Sequence, residues 1–189
     1  ANRDEFHLRD AAPLKFWGEK PHILGGRDLE AGGSWLAINK KGYLAAITNI
    51  SEGGETTQNP VTRGSIVTEF LDGKEKADKF AENLRNEHRK YNGFNLITYD
   101  GTTLYWDSNR SEKGKTIPYQ SFAISNTTPN NRWEKTELLK KSFEKVMEGP
   151  SAGLQKRLMS ILMPGSCTKT PDSALSTVKL DSLRENIFI

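Results

Sequence analysis

Apolar residues in this chain come in short runs separated by polar turns, and the runs predict the elements. Trp35 to Ile38 and Tyr43 to Thr48 read as two strands joined by Asn39-Lys40-Lys41-Gly42. Gly42 sits where a short hairpin wants positive φ. Leu44-Ala45-Ala46-Ile47 is apolar without alternation, the pattern of a strand covered on both faces. Phe94 to Tyr99 and Thr102 to Asp107 predict a second hairpin around Asp100-Gly101. Gln120 to Ser125 is a further candidate strand, and Asn186 to Ile189 reads as the first step of another.

Helical spacing appears elsewhere. Ile66, Val67 and Phe70 share one face of a predicted helix over Ser65–Leu71, and Ala77, Phe80, Ala81 and Leu84 do so over Lys74 to about Lys90. Leu139, Phe143, Val146 and Met147 stripe a helix from about Trp133 to Glu148, which Gly149 and Pro150 end. A shorter helix follows over about Gly153–Leu162, and the Pro-, Ser- and Thr-rich stretch 164–177 reads as a mobile surface loop. The pairs Gly25-Gly26 and Gly32-Gly33 lack the spacing and the Gly-Lys-Ser/Thr ending of a phosphate loop and predict tight turns. Helices interspersed with hairpins, without strict βα alternation, make this an α+β protein with antiparallel sheets.

At 189 residues, the chain is long enough for one domain with its own core. Its net charge of +3, from 27 basic and 24 acidic residues, is too even for the concentrated basic face of a nucleic-acid binder. No apolar run approaches the roughly 20 residues of a spanning helix. The single Cys167 excludes an internal disulfide framework and suits a reducing, cytoplasmic compartment. His7, His22 and His88 are too scattered for a metal site. Trp17 and Trp35 read as core or rim aromatics.

The run Asn2-Arg3-Asp4-Glu5 is either a solvated end or part of a polar site, because burying unpaired charge costs several kcal/mol. Its company decides between the two. Gly32-Gly33-Ser34-Trp35-Leu36-Ala37-Ile38, Ala45-Ala46-Ile47-Thr48-Asn49, Tyr91-Asn92-Gly93-Phe94-Asn95-Leu96-Ile97 and Ile124-Ser125-Asn126 follow it in order. As a set, over roughly residues 1–148, these resemble the NRDE family, the transport and Golgi organisation protein 2 family. The resemblance implies a four-layer αββα sandwich of antiparallel sheets like that of N-terminal-nucleophile hydrolases. Family members begin with Met-Cys and a strand ahead of the Asn-Arg-Asp-Glu run and continue into further strands. Against that pattern the chain reads as a single domain truncated at both ends, with open sheet edges.

The resemblance also implies a role: haem trafficking between compartments, Golgi organisation and lipid or acyl-coenzyme A balance, near mitochondria, Golgi or endoplasmic reticulum. Haem is then a transported ligand and no cofactor is required. Asn2, Arg3, Asp4, Trp35, Asn49 and Asn126 are the candidate ligand-binding residues. The alternative is an amide hydrolase or acyltransferase. In amidases of that fold an Arg and an Asp lie beside an N-terminal nucleophile, and asparagines at strand ends hold the oxyanion. Arg3 and Asp4 match the first pair, and Asn49 and Asn126 match the second. The nucleophile itself is not in this chain: Ala1 carries none, and Cys167 lies in the Pro/Ser/Thr-rich stretch without a nearby histidine.

Overall fold

A computed structural model describes residues 2–6, 9–50, 60–117, 121–127, 134–162 and 184–188. The stretch 164–177, with Cys167, lies outside them. The chain falls into two compact units. One contains β1 (Asn2–Phe6), α3 (Glu134–Met147), α4 (Leu154–Leu162) and β9 (Arg184–Phe188). There β1 and β9 pair antiparallel, with Arg3 opposite Ile187 and Asp4 opposite Asn186. The helices α3 and α4 pack on each other. Phe143 and Met147 stay exposed on α3, so only part of the predicted stripe is covered.

The second unit is built on β2 (Ala11–Phe16), β3 (Ile23–Asp28), β4 (Leu36–Asn39), β5 (Leu44–Asn49), β6 (Phe94–Tyr99), β7 (Leu104–Ser108) and β8 (Lys115–Thr116). These form one seven-stranded sheet in chain order, antiparallel throughout. The helices α1 (Gly64–Asp72) and α2 (Ala77–Arg85) pack on the same face of it. Between them and the sheet lies a core of Ile23, Ala37, Ala45, Ile47, Ile66, Val67, Phe70, Leu71, Leu84, Phe94 and Leu96. Phe70 stacks on Tyr43 at 5.6 Å and tilts against Phe80 at 5.1 Å, which closes the core where the two helices meet.

Four sequence expectations are corrected. Gly25 and Gly26 do not form a turn; they lie inside β3. A Cβ on Gly25 would meet the Ala37 methyl at 2.6 Å, and one on Gly26 the Trp35 ring at 2.7 Å. These glycines serve close cross-strand packing, which looks like a turn signal when the partner strand is unknown. The helix over Lys74–Lys90 is shorter: α2 spans Ala77–Arg85, followed by a 3-10 turn over His88–Lys90. Its start is set from outside, where the Asp100 carboxylate accepts from the Ala77 N–H at 3.0 Å. On β5 the burial alternates. Ala45 and Ile47 are buried toward α1, while Leu44 and Ala46 on the opposite face are half-buried. Residues 121–125 carry no strand, since that apolar run finds no ladder to join among the described residues.

The hairpin turns follow expectation. Gly42 takes φ 81° and Gly101 φ 89°. Gly33 serves another purpose, because a Cβ there would lie 2.5 Å from the Gly64 carbonyl carbon. The N-terminal turn of α1 thus rests directly on the backbone before β4, and the Ser34 N–H donates to the Gly64 carbonyl at 3.2 Å.

Candidate functional site

Side chains alternate along a strand, so the face of the sheet opposite the helices can be read from the register. Its first row runs Phe16, Leu24, Ile38, Leu44, Tyr99 and Leu104, each paired with the next across six strands. Two residues along, the second row is Leu36, Ala46, Ile97 and Trp106. The third is polar: Thr48, Asn95 and Ser108. From the first row to the third is four residues on β5, about 13 Å at ~3.3 Å per residue. The sheet thus presents one graded surface, apolar at the end carrying the Lys40-Lys41 and Asp100-Gly101 turns and polar at the other.

Asn95 organises the polar end. It is buried, and its amide Nδ2 donates to the Thr127 carbonyl at 2.9 Å and to Thr48 Oγ1 at 3.3 Å. The Thr127 backbone is thereby held beside Thr48 where β5 ends and β6 begins. The neighbouring bend is held as firmly. The Asn109 side chain accepts from the Phe94 N–H at 2.9 Å and donates to the Tyr91 and Asn92 carbonyls, both at 3.1 Å. Arg63 Nη1 donates to the Gly93 carbonyl at 2.9 Å, which ties this bend to the start of α1. Burial pushes the Tyr91 phenol up, with the Glu69 charge acting in the same direction, so it stays protonated at neutral pH.

The candidate residues therefore divide. Asn49 and Asn126 share one end of the seven-stranded sheet, each adjacent in sequence to a residue that Asn95 binds. The Asn49 side chain itself alternates to the helix side, opposite Phe94, so Thr48 is the member of that pair in the polar row. Trp35 is half-buried and lies over Gly26, a packing position at the start of β4. Asn2, Arg3 and Asp4 belong to the other unit, on β1. Asn95, Asn109 and Arg63 escaped the sequence reading. The available signal was Asn95, a carboxamide between Phe94 and Leu96 in an otherwise apolar predicted strand.

We expect Asn95→Leu, close in volume, to lower stability by about 1–3 kcal/mol, because it leaves two acceptors without their donor. Hydrogen exchange should accelerate around residues 125–127 and not in α2. Protection unchanged at 125–127 would show that other contacts hold that segment.

Elsewhere in the unit lies a buried charge cluster. Asp107 is fully buried, accepts from Arg85 through Oδ1 and faces His88 Nε2 at 3.3 Å through Oδ2. Arg85 also donates to the Glu112 carbonyl at 2.6 Å. His22 Nε2 lies 2.8 Å from Asp72 at the surface. Among the described residues no group of three or more His, Cys, Asp and Glu is placed to hold a metal ion, and no helix is long and apolar enough to cross a membrane.

Comparison with known proteins agrees with the motif set. The family described as Transport and Golgi organisation 2 matches residues 1–189. The chain is 31% identical over 188 residues to the Transport and Golgi organization protein 2 homolog of Bos taurus, covering 93% of this chain and 67% of that protein. It is 33% identical over 161 residues to the Homo sapiens homolog, covering 80% of this chain and 58% of that protein. The Transport and Golgi organization protein 2 of Drosophila melanogaster is 26% identical over 179 residues, covering 86% of this chain and 63% of that protein. The chain thus spans about three fifths to two thirds of the length of these relatives. A match over all its residues places this chain in the Transport and Golgi organisation 2 family.

Proposed function

We propose that the protein carries a large amphipathic molecule, haem or an acyl-lipid, in an intracellular transport process that also bears on Golgi organisation and lipid balance. The carrying observation is the graded sheet face. Two apolar rows end, about 13 Å on, in a polar row of the buried Asn95 and Ser108 and the half-buried Thr48, the layout that binds an apolar body and fixes a polar end. The relatives' names, which speak of transport, support the same reading. A hydrolase-like αββα sandwich would place a second sheet over the Leu36, Ala46, Ile97 and Trp106 row and turn it into a cleft. The layer of α1 and α2 on a seven-stranded antiparallel sheet supports half of that architecture.

No histidine is required for such binding. His22 and His88 already turn Nε2 toward Asp72 and Asp107. The test is a haem titration of the full-length protein beside single alanine variants of His7, His22 and His88. All four should show similar affinity and Soret shift. One variant losing both, with the others unaffected, would establish an axial ligand and overturn this binding mode.

A second reading, an amide hydrolase or acyltransferase with an N-terminal cysteine, draws on one observation: Asn95 gathers the segments of Asn49 and Asn126. Asn126, next to the Thr127 carbonyl that Asn95 holds, is the candidate oxyanion donor, worth roughly 10²–10³ in rate for one such group, whereas Asn49 alternates to the helix side. The reaction needs a free α-amine as base. Mass spectrometry of the full-length protein decides it, since Met retained ahead of the cysteine removes that amine.

A further inference from the structure

Among the described residues the sheet ends on β2, and this edge combines exposed apolar groups with exposed lysines. Leu14 is 58% exposed, Phe16 51% and Ile38 39%, whereas Ile23, Ile47, Phe94 and Leu96 of the same sheet are buried. Phe16 and Ile38 flank Leu24 from either side in one cross-strand row, so the exposed groups are contiguous. Lys40 and Lys41 are exposed beside them, and Lys15, paired with Gly25, is exposed on the other face of the strand. Lys40 Nζ stands 5.3 Å from the Phe16 ring centroid. None of the three lysines has a carboxylate partner among the described residues. The nearby acids are taken, Glu19 by Arg27 and Asp72 by Lys20 and His22.

The same edge is ill-suited to pairing with another strand. Pro13 offers no N–H, and the register slips between Ala12 and Lys15. Both features block strand addition by a partner or by a second copy. What remains is contact through side chains: apolar groups standing proud with unpaired cations around them. That combination is complementary to an anionic interface with an apolar layer beneath it.

We propose that the β2 edge and the β4–β5 turn form a contact surface for anionic membranes. Leu14, Phe16 and Ile38, at the β2 margin of the sheet, enter the headgroup boundary, and Lys40 and Lys41 meet the lipid phosphates and carboxylates. The chain rests on the bilayer through this edge and does not insert further. The polar end of the sheet, at the opposite ends of the strands, stays clear of the lipid.

Co-sedimentation of the full-length protein with phosphatidylcholine vesicles, with and without phosphatidylserine, tests this. Binding should require phosphatidylserine and weaken with salt. Lys40→Glu combined with Lys41→Glu should lower the partition coefficient by about tenfold or more. Phe16→Ser with Ile38→Ser should lower it comparably at unchanged melting temperature, since both side chains are already exposed. Failure of the wild type to bind, or wild-type binding by both double variants, would overturn the proposal. So would a finding by sedimentation velocity that Phe16→Ser with Ile38→Ser abolishes self-association while vesicle binding persists, because the surface would then belong to a second copy.

Discussion

Replacing Arg85 with methionine should destabilise the chain by about 3–5 kcal/mol, the cost of leaving a buried carboxylate without its charge partner. Asp107 has no exposure at all, and the Arg85 guanidinium is the cation that bonds its Oδ1. His88 faces the other oxygen at 3.3 Å, longer than a good charge-assisted bond, and offers partial compensation only if protonated. Denaturant unfolding at neutral pH is the measurement. The double change Arg85→Met with Asp107→Leu should recover most of the loss, because removing both charges from an apolar site is often near neutral. If Arg85→Met alone costs under about 1 kcal/mol, the pair behaves as a surface ion pair and the carboxylate is reached by water.

Asp100→Ala should cost about 2–4 kcal/mol, with the melt losing α2 and the β6–β7 turn together. One carboxylate serves both elements. It accepts from the N–H groups of Thr102 at 3.0 Å and Thr103 at 2.9 Å, from the Thr102 hydroxyl at 2.7 Å, and from the Ala77 N–H at 3.0 Å. Burial pushes this carboxyl up, but the Thr102 hydroxyl and the Ala77, Thr103 and Thr102 N–H groups outweigh it. Together they hold the carboxyl well below its ordinary value of 3.8. With the folded value lowered, the stabilisation is fully present above the unfolded value of about 3.9 and is lost as pH falls through the folded value. Wild-type stability should therefore decline below about pH 4, and Asp100→Asn should decline less steeply. Equal acid slopes for the two proteins would show that other carboxylates, such as Asp28 and Asp72, carry the acid sensitivity.

Much of the fold was legible in the chain because the relevant physics is local. Phe94–Tyr99 is a strand as read, Leu104–Ser108 returns from the Asp100-Gly101 turn, and α1 and α4 fall within one residue of their predicted ends. Steric preference, period and turn chemistry act within a few residues and leave their mark there. Family membership was legible for the same reason, through short runs of consecutive residues, two of which, Ala45–Asn49 and Tyr91–Ile97, now lie along β5 and into β6.

Tertiary structure alone decided the rest. The glycine pair of β3 is a strand because Ala37 and Trp35 occupy the space a Cβ would need. Helix α2 begins at Ala77 because a carboxylate 23 residues further along the chain caps it. Asn95 became the organiser of the polar row only once Thr48 and Thr127 were brought to its amide. Asp107 closed a predicted hairpin strand and gave no sign that it was buried. In each case the deciding atom belongs to a distant segment. Hydrogen bonds, close packing and desolvation depend on distance in space, and a linear sequence does not contain that distance.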